Sequence, residues 1–364
     1  MSETPRGLTS STEPLVSAYD CAMLDLDGVV YVGAHAVDGV PALLVEARKR
    51  GMTLAFVTNN AARPPDVVAA HLTDLGVEAA PTDVVTSGQA AAREVAARVE
   101  PGARVLVVGG DGLVLPLQEL GLVPVSSADE SPAAVVQGYH PSVGWKMLAE
   151  ASYAIAAGVP WIASNLDLTI PTARGTAPGN GTLVNAVATA VGRRPDVVAG
   201  KPFRPLFDET VRRIASTRPI VVGDRLDTDI EGAVTCGADS LLVMTGVTDV
   251  AALCRAEPRR RPSYVAWTMD GLMRPHQAPQ CEDGPRRDGS SDAEAAGRVT
   301  WSLAGWRAGV DHGRLAVAAK GSDPDAGLAT VTAACWDWLD RQDDPDAARQ
   351  QLDLSVVDGL WGDR

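Results

Sequence analysis

The sequence lacks the features that mark a membrane protein, a secreted protein or a nucleic-acid binder. A helix needs about 20 apolar residues to cross a bilayer, and none of the apolar runs in this sequence approaches that length. Residues 1–13 are polar and contain no hydrophobic stretch of a secretion signal. Acidic side chains outnumber basic ones by 46 to 32, and the net charge of -14 disfavours contact with a phosphate backbone. We therefore expect a soluble, intracellular protein with neither a membrane nor a nucleic acid as partner.

Cysteine is also scarce, with 5 residues in 364. No two of them stand in C-x-x-C spacing, and an odd number in a chain without a secretion signal favours reduced thiols. Disulfides and a cysteine-bound zinc are therefore not expected, and the cytoplasm is the expected location. The cysteines are Cys21, Cys236, Cys254, Cys281 and Cys335.

Apolar residues are plentiful, and their pattern alternates between strand and helix along most of the chain. They make up 46% of the sequence, and 364 residues exceed the usual size of a single core. The first block predicts a strand at 21–26, a helix at 41–50, a strand at 53–58 and a helix at 65–75. Such alternation predicts a parallel sheet with helices on its faces. A second alternating block spans 90–191, and the first pattern resumes over 205–243.

Two aspartates follow the first predicted strand at its carboxyl end. Asp25 and Asp27 are separated by one residue and are followed by Gly28. Residues two apart on a strand share a face, so both carboxylates would stand where open α/β sheets bind ligands. Two like charges this close repel each other unless a cation or a proton compensates. The pattern indicates a divalent-metal site beside a nucleophile.

Three later segments supply further polar groups. Residues 58–60, Thr-Asn-Asn, end an apolar strand and offer hydroxyl and amide groups to an anion. Lys201 is a single cation in a Gly-Lys-Pro turn. Asp224 comes directly after another apolar strand, Asp229 follows in the same segment, and the segment repeats the strand-then-carboxylate pattern.

In this order, the four segments resemble the four signature motifs of the haloacid dehalogenase superfamily of phosphatases. The closer resemblance is to the type IIA capped branch, which includes p-nitrophenyl phosphatase-like, phosphoglycolate and glycerol-phosphate phosphatases. Segments 163–167 and 178–181 support it, and it extends from residue 19 to residue 275. The implied fold class is α/β, with a Rossmann-like parallel-sheet core and an inserted α/β cap domain. A small C-terminal α+β module would follow.

The positions of the motifs predict the domain organisation. Half of the motif residues precede the middle block and half follow it, so the block is interpreted as an insertion that closes over the site. We predict a disordered N-terminal tail at 1–18, a discontinuous core at 19–83 and 197–275, a cap at 84–196, a linker at 276–298 and a C-terminal module at 299–364. The linker is rich in Pro, Gly and charged residues.

The C-terminal module lies outside the resemblance to the phosphatase motifs. Strands at 299–303 and 313–319 and a helix at 328–339 are predicted within it. It resembles part of an acetyltransferase-like region appended to glycerol-phosphate phosphatases of some actinobacteria, but it lacks an acyl-CoA pyrophosphate loop. A docking or dimerising role is therefore expected.

The resemblance implies a role for each catalytic residue. Asp25 would be the nucleophile that forms an aspartyl-phosphate. Asp27 would protonate the leaving alkoxide and then take a proton from the attacking water. Thr58 would hydrogen-bond a phosphoryl oxygen, and Lys201 would neutralise charge shared with Asp25. Mg2+ is the implied cofactor, with Asp25, the Asp27 carbonyl and Asp224 as its ligands.

The remaining site residues are implied by the same resemblance. Asp229 would reach the metal through water or orient Lys201. Asn59 and Asn60 would orient the nucleophile or bind the substrate. Arg174, in a loop with small residues, would line the substrate cavity.

These roles predict a Mg-dependent phosphomonoesterase whose partner is a small phosphorylated metabolite. A large cap favours a small ester over a phosphoprotein. The resemblance of the C-terminal region favours glycerol 3-phosphate, with phosphoglycolate, a nucleotide or a sugar phosphate as alternatives. From other classes, a phosphometabolite sensor and a bifunctional protein with an acetyltransferase-like region stay open. A homodimer formed through the cap or the C-terminal module is a further expectation.

Overall fold

The structure, a computed structural model, describes residues 7–172, 174–282 and 299–361. Within these ranges, in chain order, the strands are β1 Cys21–Leu24, β2 Tyr31–Val32, β3 His35–Ala36, β4 Thr53–Thr58, β5 Val84–Thr86, β6 Arg104–Val108, β7 Val123–Val125, β8 Ala134–Gln137, β9 Trp161–Ala163, β10 Thr169–Thr172, β11 Gly175–Pro178, β12 Val197–Val198, β13 Pro219–Gly223, β14 Asp239–Val243, β15 Tyr264–Ala266, β16 Gln280–Glu282, β17 Thr300–Leu303, β18 Trp306–Asp311 and β19 Arg314–Ala319.

The α-helices of the same ranges are α1 Leu15–Ala18, α2 Val40–Lys49, α3 Pro65–Asp74, α4 Ser87–Ala96, α5 Asp111–Glu119, α6 Trp145–Ala156, α7 Asn180–Val191, α8 Arg204–Ile214, α9 Glu231–Cys236, α10 Val250–Cys254, α11 Pro324–Asp340 and α12 Pro345–Gln351. None of them has the length and apolar content to span a membrane. The strands and helices predicted up to residue 243 are present, and most of their bounds shift by one to three residues.

The first sheet is a parallel sheet with the strand order β15-β14-β13-β1-β4-β5. β1 lies inside it, and its alternate residues are buried on opposite faces. Ala22 and Leu24 pack in one apolar cluster, whereas Cys21 and Met23 pack in another. A strand buried on both faces has an almost continuous apolar sequence, which explains the run that precedes Asp25.

A second parallel sheet, with the order β12-β9-β8-β6-β7, is formed entirely by residues between β5 and β13. An antiparallel hairpin, β10–β11, leaves this unit after β9. The mixed α/β architecture predicted from the sequence is thereby confirmed. The predicted limits of the insertion need correction, because residues 84–86 hydrogen-bond to β4 in the first sheet and residues 197–198 hydrogen-bond to β9 in the second.

The C-terminal module is an antiparallel sheet, β16-β17-β18-β19, packed against α11. Its apolar cluster is shared with the first sheet, since Trp306 and Trp336 pack with Leu242 of β14 and Val265 of β15. The sequence predicted β17, β19 and α11 but not the strand β18 between them. The module is therefore folded onto the core and not merely tethered to it.

The N-terminal segment was predicted to be disordered, and for residues 7–18 this is wrong. Leu15 and Val16 are 0% and 2% exposed, and they belong to the apolar cluster that contains Ala22 and Leu24 of β1. The Thr9 amide donates to the Ser263 carbonyl at 2.9 Å, and the Ser11 amide donates to the His276 carbonyl at 2.8 Å. Of the predicted linker, residues 280–282 form β16, while residues 283–298, like residues 1–6, lie outside the described residues.

Candidate active site

The first site residue follows β1 without a break in the sheet. The Asp25 amide donates to the Val222 carbonyl of β13 at 2.9 Å, so Asp25 is held at the carboxyl edge of the sheet. The chain then turns sharply, and Gly28 adopts a φ of +84°, in the left-handed region that favours glycine. A Cβ atom on Gly28 would lie 2.6 Å from Asp224 Oδ2. The glycine of the first motif therefore makes room for a carboxylate of the last one.

Lys201 brings a cation to the same edge from the loop that follows β12. Its side chain is almost fully buried, and Nζ donates to Asp25 Oδ1 at 2.5 Å and to Asp229 Oδ1 at 2.7 Å. A third bond runs from Nζ to the Val57 carbonyl at 3.3 Å. All three donors of the ammonium group are thus used inside the protein.

Three carboxylates lie close together at this edge, and two of them, those of Asp25 and Asp229, bond to Lys201. One oxygen from each of Asp25, Asp224 and Asp229 lies within 4.8 Å of the others. Asp224 Oδ2 accepts a bond from the Val247 amide at 2.6 Å, while the buried Asp224 Oδ1 has no partner among the described residues. The cluster holds more negative charge than Lys201 neutralises. An oxygen-rich, partly unsatisfied site of this kind fits Mg2+, which binds carboxylates at one or two positions and keeps water and phosphate at the others.

Burial and mutual repulsion change the ionisation of these groups. Burial raises the pKa of Asp224 to about 6, and the negative charge of Asp25 acts in the same direction. Burial likewise raises the pKa of Asp229 to about 7, against the attraction of the Lys201 charge. Although burial disfavours the ammonium form, the carboxylates of Asp229 and Asp25 raise the pKa of Lys201 above its usual range. Lys201 therefore stays charged, whereas Asp224 and Asp229 need a further cation to ionise fully near neutral pH.

Asp27 lies at the open side of the site. Desolvation in the cleft raises the pKa of its carboxyl, and the charge of Asp25 adds to this shift. Lys201 and the nearby guanidinium of Arg63 oppose it. The Tyr31 hydroxyl also bonds to the Asp27 carboxyl. A raised pKa suits a group that must hold a proton for a leaving alkoxide.

The Thr-Asn-Asn segment lies beside Lys201 at the end of β4. Thr58 is 7% exposed, and its Oγ1 accepts a bond from the Asn60 amide at 3.0 Å. Asn60 is exposed, and its Oδ1 accepts a bond from the Ala62 amide at 2.8 Å. The side chain of Asn59 points instead to the backbone of Lys201 and to Asp167, at distances of 2.7 to 3.3 Å.

Asp167 is a site residue that was not predicted from the sequence. It follows β9 in the unit of the second sheet, and both of its carboxylate oxygens lie 3.3 Å from Asn59 Nδ2. Its neighbour Asn165 donates from Nδ2 to the Asn59 carbonyl at 2.7 Å. The segment 163–167 had served only to support the family resemblance. Its contact with Asn59 spans 108 residues of sequence, so no local pattern indicates it.

Arg174 lies at the turn of the β10–β11 hairpin. It is exposed, and its amide donates to Thr172 Oγ1 at 3.2 Å. Among the described residues, its side chain makes no hydrogen bond or ion pair that joins it to the motif residues. The other predicted site residues are brought together, whereas Arg174 is not in contact with them.

The fold and the carboxylate site define a hydrolase of the haloacid dehalogenase type. Two family models match the chain, the haloacid dehalogenase-like hydrolase model over residues 22–123 and the HAD-hydrolase-like model over residues 198–272. The chain also shares 47% identity over 258 residues with the D-glycerol 3-phosphate phosphatase of Mycobacterium tuberculosis, covering 71% of this chain and 72% of that protein. The chain therefore belongs to the haloacid dehalogenase-like hydrolases.

Further relatives agree on the enzyme class. The acid sugar phosphatase of Staphylococcus aureus is 34% identical over 63% of this chain and 88% of its own. A solved structure of the Mycobacterium tuberculosis glycerol phosphate phosphatase with magnesium matches with a TM-score of 0.78 and 39% identity over 94% of this chain and 98% of that chain. The p-nitrophenyl phosphatase of Archaeoglobus fulgidus matches with a TM-score of 0.64 and 27% identity, over 70% of this chain and 98% of its own.

These findings establish the coarse activity. The protein is a phosphoric monoester hydrolase with Mg2+ as its cofactor, as predicted. The mycobacterial structure covers nearly the whole chain, so the likeness includes the C-terminal module. The archaeal enzyme covers a smaller share of this chain, although almost all of its own length is matched. The phosphatase unit therefore exists in relatives shorter than this chain.

Proposed function

We propose that the protein hydrolyses a small phosphate ester, with glycerol 3-phosphate as its substrate, through an aspartyl-phosphate on Asp25. The observation that carries the proposal is that Lys201 Nζ bonds to both Asp25 and Asp229, beside an Asp224 oxygen that has no partner in the described part of the chain. A carboxylate held by a cation at a strand end is well placed to attack phosphorus, and the charged surroundings favour an anionic transition state once a metal is bound.

The metal would be held by Asp25, Asp224 and the carbonyl of Asp27. Asp229 would act mainly through Lys201, since its Oδ1 bonds to Nζ at 2.7 Å. When bound, Mg2+ would polarise the phosphoryl oxygens and neutralise part of their charge. Lys201 would share that task from the protein side, and the Thr58 hydroxyl would donate a hydrogen bond to a phosphoryl oxygen.

Asp27 would handle the protons of both half-reactions. In the first, its carboxyl would give a proton to the leaving alkoxide while the Asp25–phosphorus bond forms. In the second, its carboxylate would take a proton from the water that attacks phosphorus, and Asp25 would be released. The raised pKa of Asp27 supports the first step, because the proton must be present when the ester bond breaks.

The choice of glycerol 3-phosphate rests on the relatives. The Mycobacterium tuberculosis relative is named a D-glycerol 3-phosphate phosphatase, and its solved structure matches 94% of this chain. The Staphylococcus aureus relative, at 34% identity, is named an acid sugar phosphatase, so a sugar phosphate is the second candidate. Asn60 and Arg174 are proposed as substrate contacts, because both are exposed and therefore accessible to a ligand.

A comparison of esters tests the proposal. We expect kcat/KM with Mg2+ to be highest for glycerol 3-phosphate among glycerol 3-phosphate, phosphoglycolate, a sugar phosphate, a nucleotide and a phosphopeptide. Chelation should abolish turnover, and added Mg2+ should restore it. A preference for the nucleotide or the phosphopeptide would overturn the substrate assignment, and metal-independent turnover would overturn the site.

We further propose that the chain forms a homodimer through α6. Trp145 and Tyr153 are 78% and 59% exposed on α6, and Ala149 lies one turn from each. This spacing is symmetric about Ala149, so an antiparallel second copy would place Trp145 on Tyr153 twice. Sedimentation of the wild type and of Trp145→Ala tests it, since a monomeric wild type or a dimeric variant would contradict the interface.

We also propose that the protein acts in the cytoplasm. Cell fractionation tests this location, and recovery of the protein in the membrane or extracellular fraction would contradict it.

A further inference from the structure

We infer that Asp167, a residue of the second-sheet unit, is a positioning residue that holds Lys201 in place through Asn59. The inference rests on the proposed function, because it concerns the same site. It assigns to Asn59 a task different from substrate contact. It also links the unit of the second sheet, which would cover the substrate, to the ammonium group beside the nucleophile.

Both polar atoms of the Asn59 side chain form hydrogen bonds within the protein. Its Oδ1 accepts a bond from the Lys201 amide at 2.7 Å, and its Nδ2 donates to the Lys201 carbonyl at 3.2 Å. These two bonds hold the backbone of Lys201 on both sides of its Cα atom. A substrate that competed for the Asn59 amide would have to break one of them.

Asp167 determines which way the Asn59 amide faces. Both carboxylate oxygens lie 3.3 Å from Nδ2, and a carboxylate accepts bonds only, so it selects the amino end of the amide. A reversed amide would set Oδ1 against the carboxylate and Nδ2 against the Lys201 amide. The charge of Asp167 therefore favours the orientation that the Lys201 backbone requires.

Asp167 itself is held firmly by its own unit. Its amide donates to Asn165 Oδ1 at 3.1 Å, and its carbonyl accepts a bond from the Gly181 amide at 2.9 Å, at the start of α7. Asn165 in turn donates to the Asn59 carbonyl at 2.7 Å. Two contacts from the segment after β9 thus meet at Asn59, one with its carbonyl and the other, from Asp167, with its side chain.

The backbone of Lys201 matters because its side chain has little freedom to compensate. Nζ is buried and shares its protons among Asp25, Asp229 and the Val57 carbonyl. A shift of the loop would lengthen the 2.5 Å contact with Asp25 first, since Asp25 is less buried than Asp229. Asp167 would then influence kcat without touching the substrate.

Steady-state kinetics of Asp167→Ala, Asp167→Asn, Asn59→Ala and the Asn59→Ala/Asp167→Ala double variant test the inference. Turnover of glycerol 3-phosphate and p-nitrophenyl phosphate with Mg2+ is compared, and Asp129→Ala is the control. Asp129 is an exposed aspartate of the same unit. Thermal unfolding of each variant shows whether the enzyme is folded at the assay temperature, so that kcat is calculated per folded molecule.

We expect Asp167→Ala to lower kcat about tenfold on both esters, with KM little changed. Asp167→Asn should lose less, since its side-chain oxygen still accepts the Asn59 bond. The double variant should be no slower than Asn59→Ala, because Asp167 acts through Asn59. Asp129→Ala should match the wild type.

Three results would overturn the inference. The first is an unchanged kcat in Asp167→Ala. The second is a loss of kcat confined to glycerol 3-phosphate, which would make Asp167 a substrate contact. The third is a double variant whose loss of kcat is the product of the two single losses. If Asn59→Ala does not fold, the comparison of Asp167→Ala with Asp167→Asn on the two esters still decides. A wild type that turns over neither ester would instead refute the proposed function, and with it the ground of this inference.

Discussion

Two buried cations of this protein have opposite surroundings. Arg261, at the junction of the core with the C-terminal module, is 1% exposed and meets one carboxylate, Asp340, with two bonds of 2.6 and 2.7 Å. Its guanidinium also lies 5.0 Å from the ring centroid of Trp336. Lys201, in contrast, faces Asp25 and Asp229 at bonding distance, and Asp224 lies beside them.

The difference separates a structural charge from a functional one. At Arg261 one positive charge meets one negative charge in bidentate geometry, so burial is compensated inside the chain. At Lys201 two carboxylates share one cation, a third lies beside them, and Asp224 Oδ1 has no partner among the described residues. Excess buried negative charge destabilises a fold unless something from outside completes it. We therefore interpret the imbalance at Lys201 as the requirement for a divalent cation, Mg2+.

The largest expected effect is that of Asp25→Asn. The amide has nearly the same shape but cannot attack phosphorus, so turnover with Mg2+ should fall about 10^4-fold or more. The unfolding temperature should stay within a few degrees of the wild type, because Lys201 keeps its bond to Asp229. Phosphate release measures the turnover, and thermal melts followed by circular dichroism measure the unfolding temperature. Turnover within tenfold of the wild type would remove Asp25 as nucleophile.

Asp27→Asn should come next, and its effect should depend on the leaving group. On glycerol 3-phosphate we expect a loss of about 10^2- to 10^4-fold, because the alkoxide needs a proton. On p-nitrophenyl phosphate the loss should be much smaller, because p-nitrophenolate leaves without one. Parallel kcat measurements on the two esters test this. Equal losses on both would contradict the acid role.

Lys201→Ala sharpens the comparison between the two cations. We expect kcat to fall about 10^2- to 10^3-fold, the range for loss of one transition-state donor. The surface variant Lys320→Ala, in the C-terminal module, should leave kcat unchanged, since its Nζ bonds only to the Gly359 carbonyl at 3.3 Å among the described residues. A Lys201 variant with wild-type kcat would contradict the role given to this cation.

Affinity for Mg2+ should depend on pH with a defined sign. The raised pKa values of Asp224, about 6, and Asp229, about 7, mean that these carboxyls hold protons in the metal-free protein at low pH. Metal binding must release those protons, so the apparent Kd should rise about 100-fold between pH 7.5 and pH 5.5. Titration calorimetry at the two pH values measures it. An apparent Kd that stays constant would contradict the excess of negative charge.

The smallest expected effect on turnover is that of Arg261→Met. It leaves Asp340 without its bidentate partner and should lower the free energy of unfolding by about 3 kcal/mol, while kcat at 25 °C stays near the wild type. Urea unfolding and kinetics on the same preparation separate the two effects. A large loss of kcat in the folded variant would show that the junction contributes to the site.

The sequence predicted most of the core and the motif residues, because both depend on local patterns. Apolar runs that end in aspartate mark β1 and β13, and parallel strands bring their carboxyl ends together. This is why Asp25 and Asp229 were expected at one edge of the sheet, whereas the place of Lys201 beside them was implied by the family resemblance. The link from Asn59 to Asp167 depends on packing between two sheets and leaves no local signal.

Strand β18 was missed for a reason of turn chemistry. The hairpin turns on either side of it have two consecutive residues with positive φ, Ala304 and Gly305 in one and His312 and Gly313 in the other. Such turns are usually marked by Asn-Gly or Asp-Gly. Here alanine and histidine take the first position, so the usual signal is absent. The N-terminal segment was missed because its two buried apolar residues are too few to form a periodic pattern.

The central claim is that the phosphoryl group passes through Asp25 before it reaches water. The stereochemical course of hydrolysis tests it most directly, with a glycerol 3-phosphate analogue whose phosphorus is made chiral by isotopic oxygen and sulfur. Two in-line displacements, the first by Asp25 and the second by water, predict retention of configuration at phosphorus. Inversion would mean that water attacks the ester in a single step and would contradict the account.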